Sequence, residues 1–153
     1  MKKTLRPLDI LYLVFFLTHI PIALFVDLVP LYPTHLAPSL ALKLNAWYTL
    51  HWKDAFMTIP NEFWWFKSIS YCEASLQLPF FFYACWSIYH DRKHPLPFLV
   101  YTTHVLTTVI PILSEFALAP TLLLSEKIKL LVLYSPYAIV PFLLFCDVIQ
   151  AYI

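Results

Sequence analysis

The chain of 153 residues contains no glycine at all, and only 12% of its residues are charged. Without glycine it cannot form the glycine-rich loops that bind phosphates or dinucleotides. Its 10 lysines and arginines nearly balance 9 aspartates and glutamates, which leaves a formal net charge of +1. Nucleic-acid binders need a basic excess on one face, and disordered proteins combine low hydrophobicity with high net charge. The composition therefore excludes both classes.

Cysteine is scarce too, and its three residues all lie in apolar runs: Cys72, Cys85 and Cys146. Their spacing contains neither a disulfide framework nor a CxxC metal motif, so we interpret them as small packing residues. We accordingly expect no metal site and no cofactor in this protein.

Long apolar runs are abundant, since 61% of the residues are hydrophobic, whereas a soluble protein averages ~45–50%. A helix crosses ~30 Å of hydrocarbon with ~20 mostly apolar residues. The runs are too long for barrel strands of ~10 residues, and four strands cannot close a barrel. We predict an all-α integral membrane protein, a four-helix transmembrane bundle in one domain over residues 1–153. The predicted spans are about 8–28, 63–89, 97–119 and 128–150.

Each predicted span contains at least one proline: Pro21, Pro79, Pro111, and Pro136 with Pro141. Proline removes a helix hydrogen bond and tends to kink the helix, so four kinked helices can splay and leave a cavity between them. Residues 39–58 alternate apolar and polar side chains, which predicts an interfacial helix and a turn between the first two spans. Segment 90–97 predicts a tight turn, and segment 118–129 predicts the last connection.

Four spans place both termini on the same side of the membrane. Three cations in the first six residues, Lys2, Lys3 and Arg6, precede the span that usually sets the topology. Because positive charge is retained on the cytoplasmic side, we predict that both termini are cytoplasmic.

Polar residues inside the first two spans are the first candidates for a binding site. An ionisable group inside a bilayer costs ~2.5–3.5 kcal/mol on insertion scales, so it marks a site by default. Glu73 lies near the middle of the second span, and Gln77 follows on the same face at i+4. Asp27 ends the first span, and His19 precedes it by two turns. The alternative for His19 is a hydrogen bond between helices, and the alternative for Asp27 is a charge at the membrane edge.

The third and fourth spans carry further candidates. Tyr101, His104 and Thr108 follow one another at i, i+3 and i+7, as one polar stripe on an apolar helix. Each has a structural alternative. His104 could form only a hydrogen bond to a neighbouring helix, and the Thr108 hydroxyl could donate to a backbone carbonyl of its own helix. Tyr134 could anchor its helix at the membrane interface. A cavity lined by aromatic side chains, with two carboxylates at one end, suits a flat apolar ligand that carries a hydroxyl or an amine.

Segments from all four spans and the first connection resemble the sigma-2 receptor family. This family is a branch of the EXPERA superfamily, which includes the emopamil-binding sterol isomerases. The segments are HIPIALFVDL (19–28), WYTLHWKDAF (47–56), WFKSISYCEASLQLPFF (65–81), HVLTTVIPILS (104–114) and LYSPYAIVPF (133–142). The resemblance implies a multi-pass protein of the endoplasmic reticulum membrane, often dimeric, which binds sterols and cationic amphiphilic ligands and acts in cholesterol trafficking.

The resemblance also implies roles for individual residues. Asp27 matches the carboxylate that pairs with a ligand amine, Asp54 a second acid that supports it, and Glu73 the acid that faces Asp27. Further residues match positions that line the family's pocket: Gln77, Tyr48, Tyr101, Thr108 and Tyr134.

The two facing carboxylates predict a shared charge. Two acids in one site of low dielectric cannot both ionise cheaply, so one of them should keep its proton. We expect Glu73 to be protonated and Asp27 to be ionised, because Glu73 lies deeper in its span. The single remaining negative charge suits one ammonium group, and a sterol hydroxyl could donate to the same carboxylate.

The function predicted from these observations is a non-enzymatic receptor in sterol homeostasis, without catalytic residues. Its expected partners are a sterol or oxysterol, cationic amphiphilic molecules, membrane lipids, membrane proteins and a second copy of itself, but not nucleic acid. Two alternatives stay open. One is a membrane quality-control factor for client proteins. The other is a sterol double-bond isomerase, in which Glu73 with His19 or His104 would act as acid and base.

Overall fold

The fold is described from a computed structural model that covers residues 5–33, 35–58, 62–92 and 94–151. Within these ranges all the regular elements are helices, which confirms the all-α fold class. The α-helices are α1 Pro7–Ile22, α2 Ser39–Trp52, α3 Ala55–Thr58, α4 Trp64–Cys72, α5 Leu78–Tyr89, α6 Pro95–Leu118, α7 Leu124–Tyr134 and α8 Pro136–Gln150. Lys2 and Lys3, which carry part of the predicted orientation, lie outside the described residues.

Among the described residues, three helical stretches are long and apolar enough to cross a membrane: Pro7–Asp27, Pro95–Leu118 and Leu124–Gln150. They correspond to the first, third and fourth predicted spans. The predicted second span is helical from Trp64 to Tyr89, but Lys67, Glu73 and Gln77 lower its mean hydropathy. The crossing of that segment, and with it the four-helix bundle, therefore stays a prediction.

The last predicted span begins earlier than expected, at Leu124 instead of 128. The polar sequence around Glu126 looked like a connection, but it forms the first turn of α7. The Glu126 carboxylate accepts a hydrogen bond of 2.9 Å from the backbone N–H of Leu123, which satisfies a donor that a helix start leaves open. Pro136 is the first residue of α8 and so marks a helix boundary instead of an internal kink.

The chain divides into two compact units, which are described separately. The central unit comprises Thr18–Pro79, and the terminal unit comprises the residues up to Leu17 and those from Phe80 onward. The central unit holds the end of α1 and the helices α2, α3 and α4. The terminal unit holds α6, α7 and α8.

Two π-helical segments distinguish the central unit, Ala23–Asp27 and Glu73–Gln77. In the first, the N–H of Leu28 donates to the carbonyl of Ala23, five residues back, at 2.9 Å. Proline has no N–H to donate, and Pro21 lies just before the first segment and Pro79 just after the second. Each segment therefore lies where the regular α-helical bonding pattern is already interrupted.

The helix predicted within residues 39–58 is present as α2, and it packs against the first π-helical segment. Its interfacial position stays a prediction. It ends at Lys53, which adopts a left-handed conformation with φ of 52°. The turn predicted after it follows at once, and α3 begins at Ala55.

The terminal unit has a core of aromatic rings. Tyr101 of α6 stacks on Phe80, with centroids 4.5 Å apart and planes 15° apart. Phe16 of α1 packs edge-on against both rings. Helix α6 also packs along α8 and α7, and it begins at Pro95 inside the predicted turn segment 90–97, of which Lys93 lies outside the described residues.

An ion-pair cluster connects the start of α1 to the end of α8 in the terminal unit. The Arg6 guanidinium lies 3.0 Å from an Asp9 carboxylate oxygen and 2.7 Å from an Asp147 oxygen. Hydrogen bonds to these two acids raise the pKa of Arg6 above its ordinary value. Paired with Arg6, Asp147 serves the packing of two helices.

Candidate functional site

Three ionisable side chains meet in the central unit: His19, Asp27 and Glu73. The Nε2 atom of His19 lies 4.0 Å from the nearer Asp27 oxygen and 3.8 Å from the nearer Glu73 oxygen. Their side chains are 9%, 23% and 14% exposed, in the same order. The structure thus brings together the two acids that the sequence singled out, with the imidazole in contact range of both.

The helices position these side chains through the two π-helical segments. Asp27 is the last residue of the first segment, and Glu73 is the first residue of the second. His19 lies two turns before Asp27 on α1. π-Helical turns are rare and occur frequently at functional sites, because the inserted residue changes the direction of the side chains that follow. Here each of the two carboxylates is presented by such a turn.

The electrostatics of the triad favour a cation or a shared proton. One donor atom from each of the three side chains lies within 4.8 Å of the others. At such separations, away from bulk water, two negative charges repel strongly. A positive group between the carboxylates, or a proton held by one of them, removes that repulsion. The assignment of the proton to Glu73 stays a prediction.

Asp54 is completely buried and has a clear local role. One of its carboxylate oxygens accepts a hydrogen bond of 2.9 Å from the Tyr48 hydroxyl. The other accepts a bond of 3.0 Å from the backbone N–H of Phe56, which caps the start of α3. Asp54 therefore joins α2 to α3, and it lies close enough to Asp27 to act on it electrostatically. Tyr48 is linked to the site by its hydrogen bond to Asp54.

Gln77 is buried, at the last position of the second π-helical segment. It lies four residues after Glu73, and the face that the two side chains were predicted to share stays a prediction. The first π-helical segment, Ala23–Asp27, is held by a side chain from outside it: the Tyr32 hydroxyl donates a hydrogen bond of 2.8 Å to the carbonyl of Leu24. The sequence did not single out Tyr32, since a tyrosine between Pro30 and Pro33 has no periodic signal.

The other four candidates lie in the terminal unit. Tyr101 is buried in the aromatic core, and Tyr134 packs on Phe116 at 4.9 Å between centroids. The hydroxyl of Thr108 donates to the carbonyl of Val105 at 3.0 Å, as the alternative for a helical threonine predicted. The Nε2 atom of His104 is buried and has no hydrogen-bond partner among the described residues. A pocket shared by all ten candidates stays a prediction.

The donor set of the triad was not foreseen from the sequence. We expected no metal site, yet an imidazole nitrogen and two carboxylate oxygens converge in a way that could hold a metal ion. The eight-residue spacing of His19 and Asp27 is compatible with a shared helix face, but the third donor comes from a distant segment. That juxtaposition is a property of the fold.

Comparison with known proteins places the geometry in context. Residues 40–148 match the family model of EBP, described as EXPERA, the expanded EBP superfamily. A protein of Xenopus tropicalis named Sigma intracellular receptor 2 is 41% identical over 150 residues, which cover 91% of this chain and 86% of the relative. The proteins of the same name from Homo sapiens and Macaca fascicularis are each 35% identical over 154 residues, which cover 92% of this chain and 86% of the relative.

Proposed function

This chain belongs to the sigma-2 receptor family of the EXPERA superfamily, and on that premise we propose that it is an intramembrane receptor for cationic amphiphilic ligands and sterols. In this proposal Asp27 is the anion that receives the ligand. Glu73 and His19 surround that anion, and Asp54 with Tyr48 holds the neighbouring helices in place.

The observation that carries the proposal is the meeting of two carboxylates and one imidazole in a mostly buried position. A protonated amine placed there gains a charge-assisted hydrogen bond to Asp27, which is stronger than a bond between neutral groups. A protonated Glu73 would donate to the same anion and hold it in position. The apolar part of the ligand would then lie among the aromatic side chains of the protein.

A neutral sterol can use the same anion through a different group. Its single hydroxyl donates a hydrogen bond to the Asp27 carboxylate, and its flat ring system needs only apolar contacts. One site thus accommodates both ligand classes, since each presents one donor at the end of an apolar body.

The cellular role follows from the ligand class and from the relatives. The relatives' name contains the words intracellular receptor, which supports ligand binding rather than catalysis. We propose that the protein acts in sterol homeostasis or cholesterol trafficking in the endoplasmic reticulum membrane, as a homodimer with cytoplasmic termini.

The direct test is the affinity of a radiolabelled amphiphilic tertiary amine for the purified protein. Asp27→Asn keeps the side-chain shape and removes the anion. Losing one partner of a buried ion pair costs ~3–5 kcal/mol, so the affinity should fall by two orders of magnitude or more. The matched control is Asp147→Asn, because Asp147 pairs with Arg6 in the terminal unit. A change below about threefold for Asp27→Asn, which is only ~0.7 kcal/mol, would contradict the proposal.

A second candidate function has one specific observation in its favour. The Glu73 oxygen lies 3.8 Å from His19 Nε2, so an acid and a base stand side by side, as the isomerisation of a sterol double bond requires. Under this alternative, deleting the gene makes the unisomerised sterol substrate accumulate, and expression of His19→Gln in the deletion strain does not restore the normal sterol profile. An unchanged sterol profile favours the receptor.

A further inference from the structure

We propose that His19, Asp27 and Glu73 form a binding site for one divalent metal ion of the zinc class. The ion competes with cationic ligands for the two carboxylates, so metal availability regulates the receptor. The competition rests on the proposed function, whereas metal binding itself depends only on the donor set.

The donor set is the first argument. One imidazole nitrogen and two carboxylate oxygens lie within 4.8 Å of one another, and among the described residues this is the one group of its kind. Imidazole and carboxylate together suit zinc and its neighbours among the divalent transition metals, whereas calcium and magnesium prefer oxygen ligands alone. Three protein ligands would leave a fourth position open.

The distances are the second argument. Zinc binds nitrogen and oxygen ligands at ~2.0–2.2 Å in a tetrahedron, so neighbouring donor atoms would stand roughly 3.4 Å apart. His19 Nε2 is 4.0 Å from Asp27 and 3.8 Å from Glu73. The imidazole nitrogen therefore needs to approach each carboxylate by about half an ångström. The two carboxylate oxygens, which lie within 4.8 Å of each other, need to close by up to about 1.4 Å, a distance that side-chain rotations of the carboxylates can cover.

The charge is the third argument. Two ionised carboxylates and a neutral imidazole carry two negative charges, which a divalent ion neutralises completely. An ammonium group neutralises only one of them and leaves the second acid protonated. The ion and the amine therefore use the same oxygens, and they cannot occupy the site together.

The test uses the full-length protein in detergent, stripped with a chelator and titrated with zinc chloride by calorimetry. The variants are His19→Gln, which removes the nitrogen ligand and keeps both acids, and Glu73→Gln, which removes one oxygen ligand. The control is His104→Gln, because His104 is a mid-helix histidine of the terminal unit. We expect one zinc ion per chain in the wild type and in the control. Loss of an outer partner already weakens metal sites by ~10–100-fold, so loss of a ligand should weaken this one by at least ~100-fold.

The thermal midpoint, recorded with and without zinc, shows that each variant is folded and gives a second readout. Zinc should raise the midpoint of the wild type and of His104→Gln, but of neither triad variant, because only a bound ion stabilises the native state. If zinc binds both triad variants as tightly as the wild type, or does not bind the wild type, the metal site is refuted.

A competition arm separates this inference from the proposed function. Zinc should displace the radiolabelled amine from the wild type, and a chelator should restore amine binding. In His19→Gln, displacement of half of the amine that this variant binds without zinc should need at least ~100-fold more zinc. If the wild type does not bind the amine while zinc binding still depends on His19, the receptor proposal fails and the metal site stands. If zinc and the amine bind together, the regulation is refuted.

Discussion

The central and terminal units use their polar side chains differently. In the central unit, two tyrosine hydroxyls reach another segment: that of Tyr48 donates to the Asp54 carboxylate, and that of Tyr32 donates to a carbonyl in the first π-helical segment. The serines of α4 bond their own helix, and in the terminal unit the long-range polar contact is the ion pair of Arg6 with Asp147. On α6 of the terminal unit, the hydroxyls return to the carbonyls of their own helix, from Thr102, Thr107, Thr108 and Ser114. Ring contacts form the core of that unit. Under the proposed function, the ligand chemistry belongs to the central unit, and the terminal unit contributes mainly packing.

This contrast shows what a polar stripe on a membrane helix means. The spacing of Tyr101, His104 and Thr108 places them on one helix face. Even so, the Thr108 hydroxyl donates to a backbone carbonyl of its own helix, and the Tyr101 ring packs in an aromatic core. His19, Asp27 and Glu73 share no such stripe, and they converge. Polarity alone therefore does not distinguish a site from a helix that satisfies its own groups. Substitutions in each unit test the contrast.

The largest expected effect on stability belongs to the terminal unit. Phe16 is fully buried and contacts Phe80 and Tyr101. Phe16→Ala should lower the free energy of unfolding by ~3–5 kcal/mol because it leaves a cavity in the ring cluster. Amine affinity of the molecules that remain folded should not change. Thermal unfolding and amine binding measured on one preparation check both, with Phe16→Leu as the control that fills most of the space. An affinity loss in the folded fraction would refute the division of roles.

Asp54→Ala should give the next largest effect, in the central unit. It removes the cap of α3 and leaves the Tyr48 hydroxyl without its acceptor. A lost cap costs ~0.5–2 kcal/mol, and a buried group left without a partner costs ~1–3 kcal/mol. The matched variant Tyr48→Phe loses only the hydroxyl bond and should cost ~1 kcal/mol. If both variants unfold at the same temperature, the cap at Phe56 contributes nothing.

Much of the fold was predictable from the sequence, because it depends on local patterns. The first and third spans lie within two residues of their predicted starts, at Pro7 and Pro95, since apolar length alone determines them. The early start of α7 was missed because the polar residues around Glu126 are typical of a loop. Only the structure reveals that the Glu126 carboxylate accepts a hydrogen bond from the backbone N–H of Leu123.

The candidate site was predictable only in part. The cost of burying charge singled out Asp27 and Glu73, and the family resemblance set them face to face. The π-helical segments were not predictable, because a bond between residues five apart, such as that between Ala23 and Leu28, competes closely with the regular pattern and depends on the tertiary contacts. The position of His19 beside both acids has the same origin.

Tyr32→Phe tests the support of the first π-helical segment and should cost about 1 kcal/mol, the net worth of one hydrogen bond. Burial raises the pKa of Tyr32. The folded state therefore holds this proton more tightly than the unfolded state, and the resulting stability is complete below about pH 10 and is lost as the pH rises further. Chemical denaturation from pH 8 to pH 11 should show a steeper alkaline loss in the wild type than in Tyr32→Phe. Parallel curves would contradict this.

The smallest effect is expected for Thr107→Val, the counterpart of Tyr32→Phe in the terminal unit. The exposed hydroxyl of Thr107 bonds only carbonyls of its own helix, those of Thr103 and His104. Exposed substitutions usually change stability by less than ~0.5 kcal/mol. Thermal unfolding of the two variants side by side compares a hydroxyl that joins segments with one that does not. A loss from Thr107→Val as large as that from Tyr32→Phe would remove this part of the contrast.

The central claim is that Asp27 and Glu73 share one negative charge, which Asp27 carries. The most direct measurement is the affinity of the radiolabelled amine for the wild type, Asp27→Asn, Glu73→Gln and the double variant, because the titration belongs to the pair. We predict that Glu73→Gln is mild, less than about tenfold or ~1.4 kcal/mol, since an amide still donates to Asp27. Asp27→Asn should lose two orders of magnitude or more. If Glu73→Gln is as damaging as Asp27→Asn, Glu73 is itself an anion in the working state, and the shared-charge account is wrong.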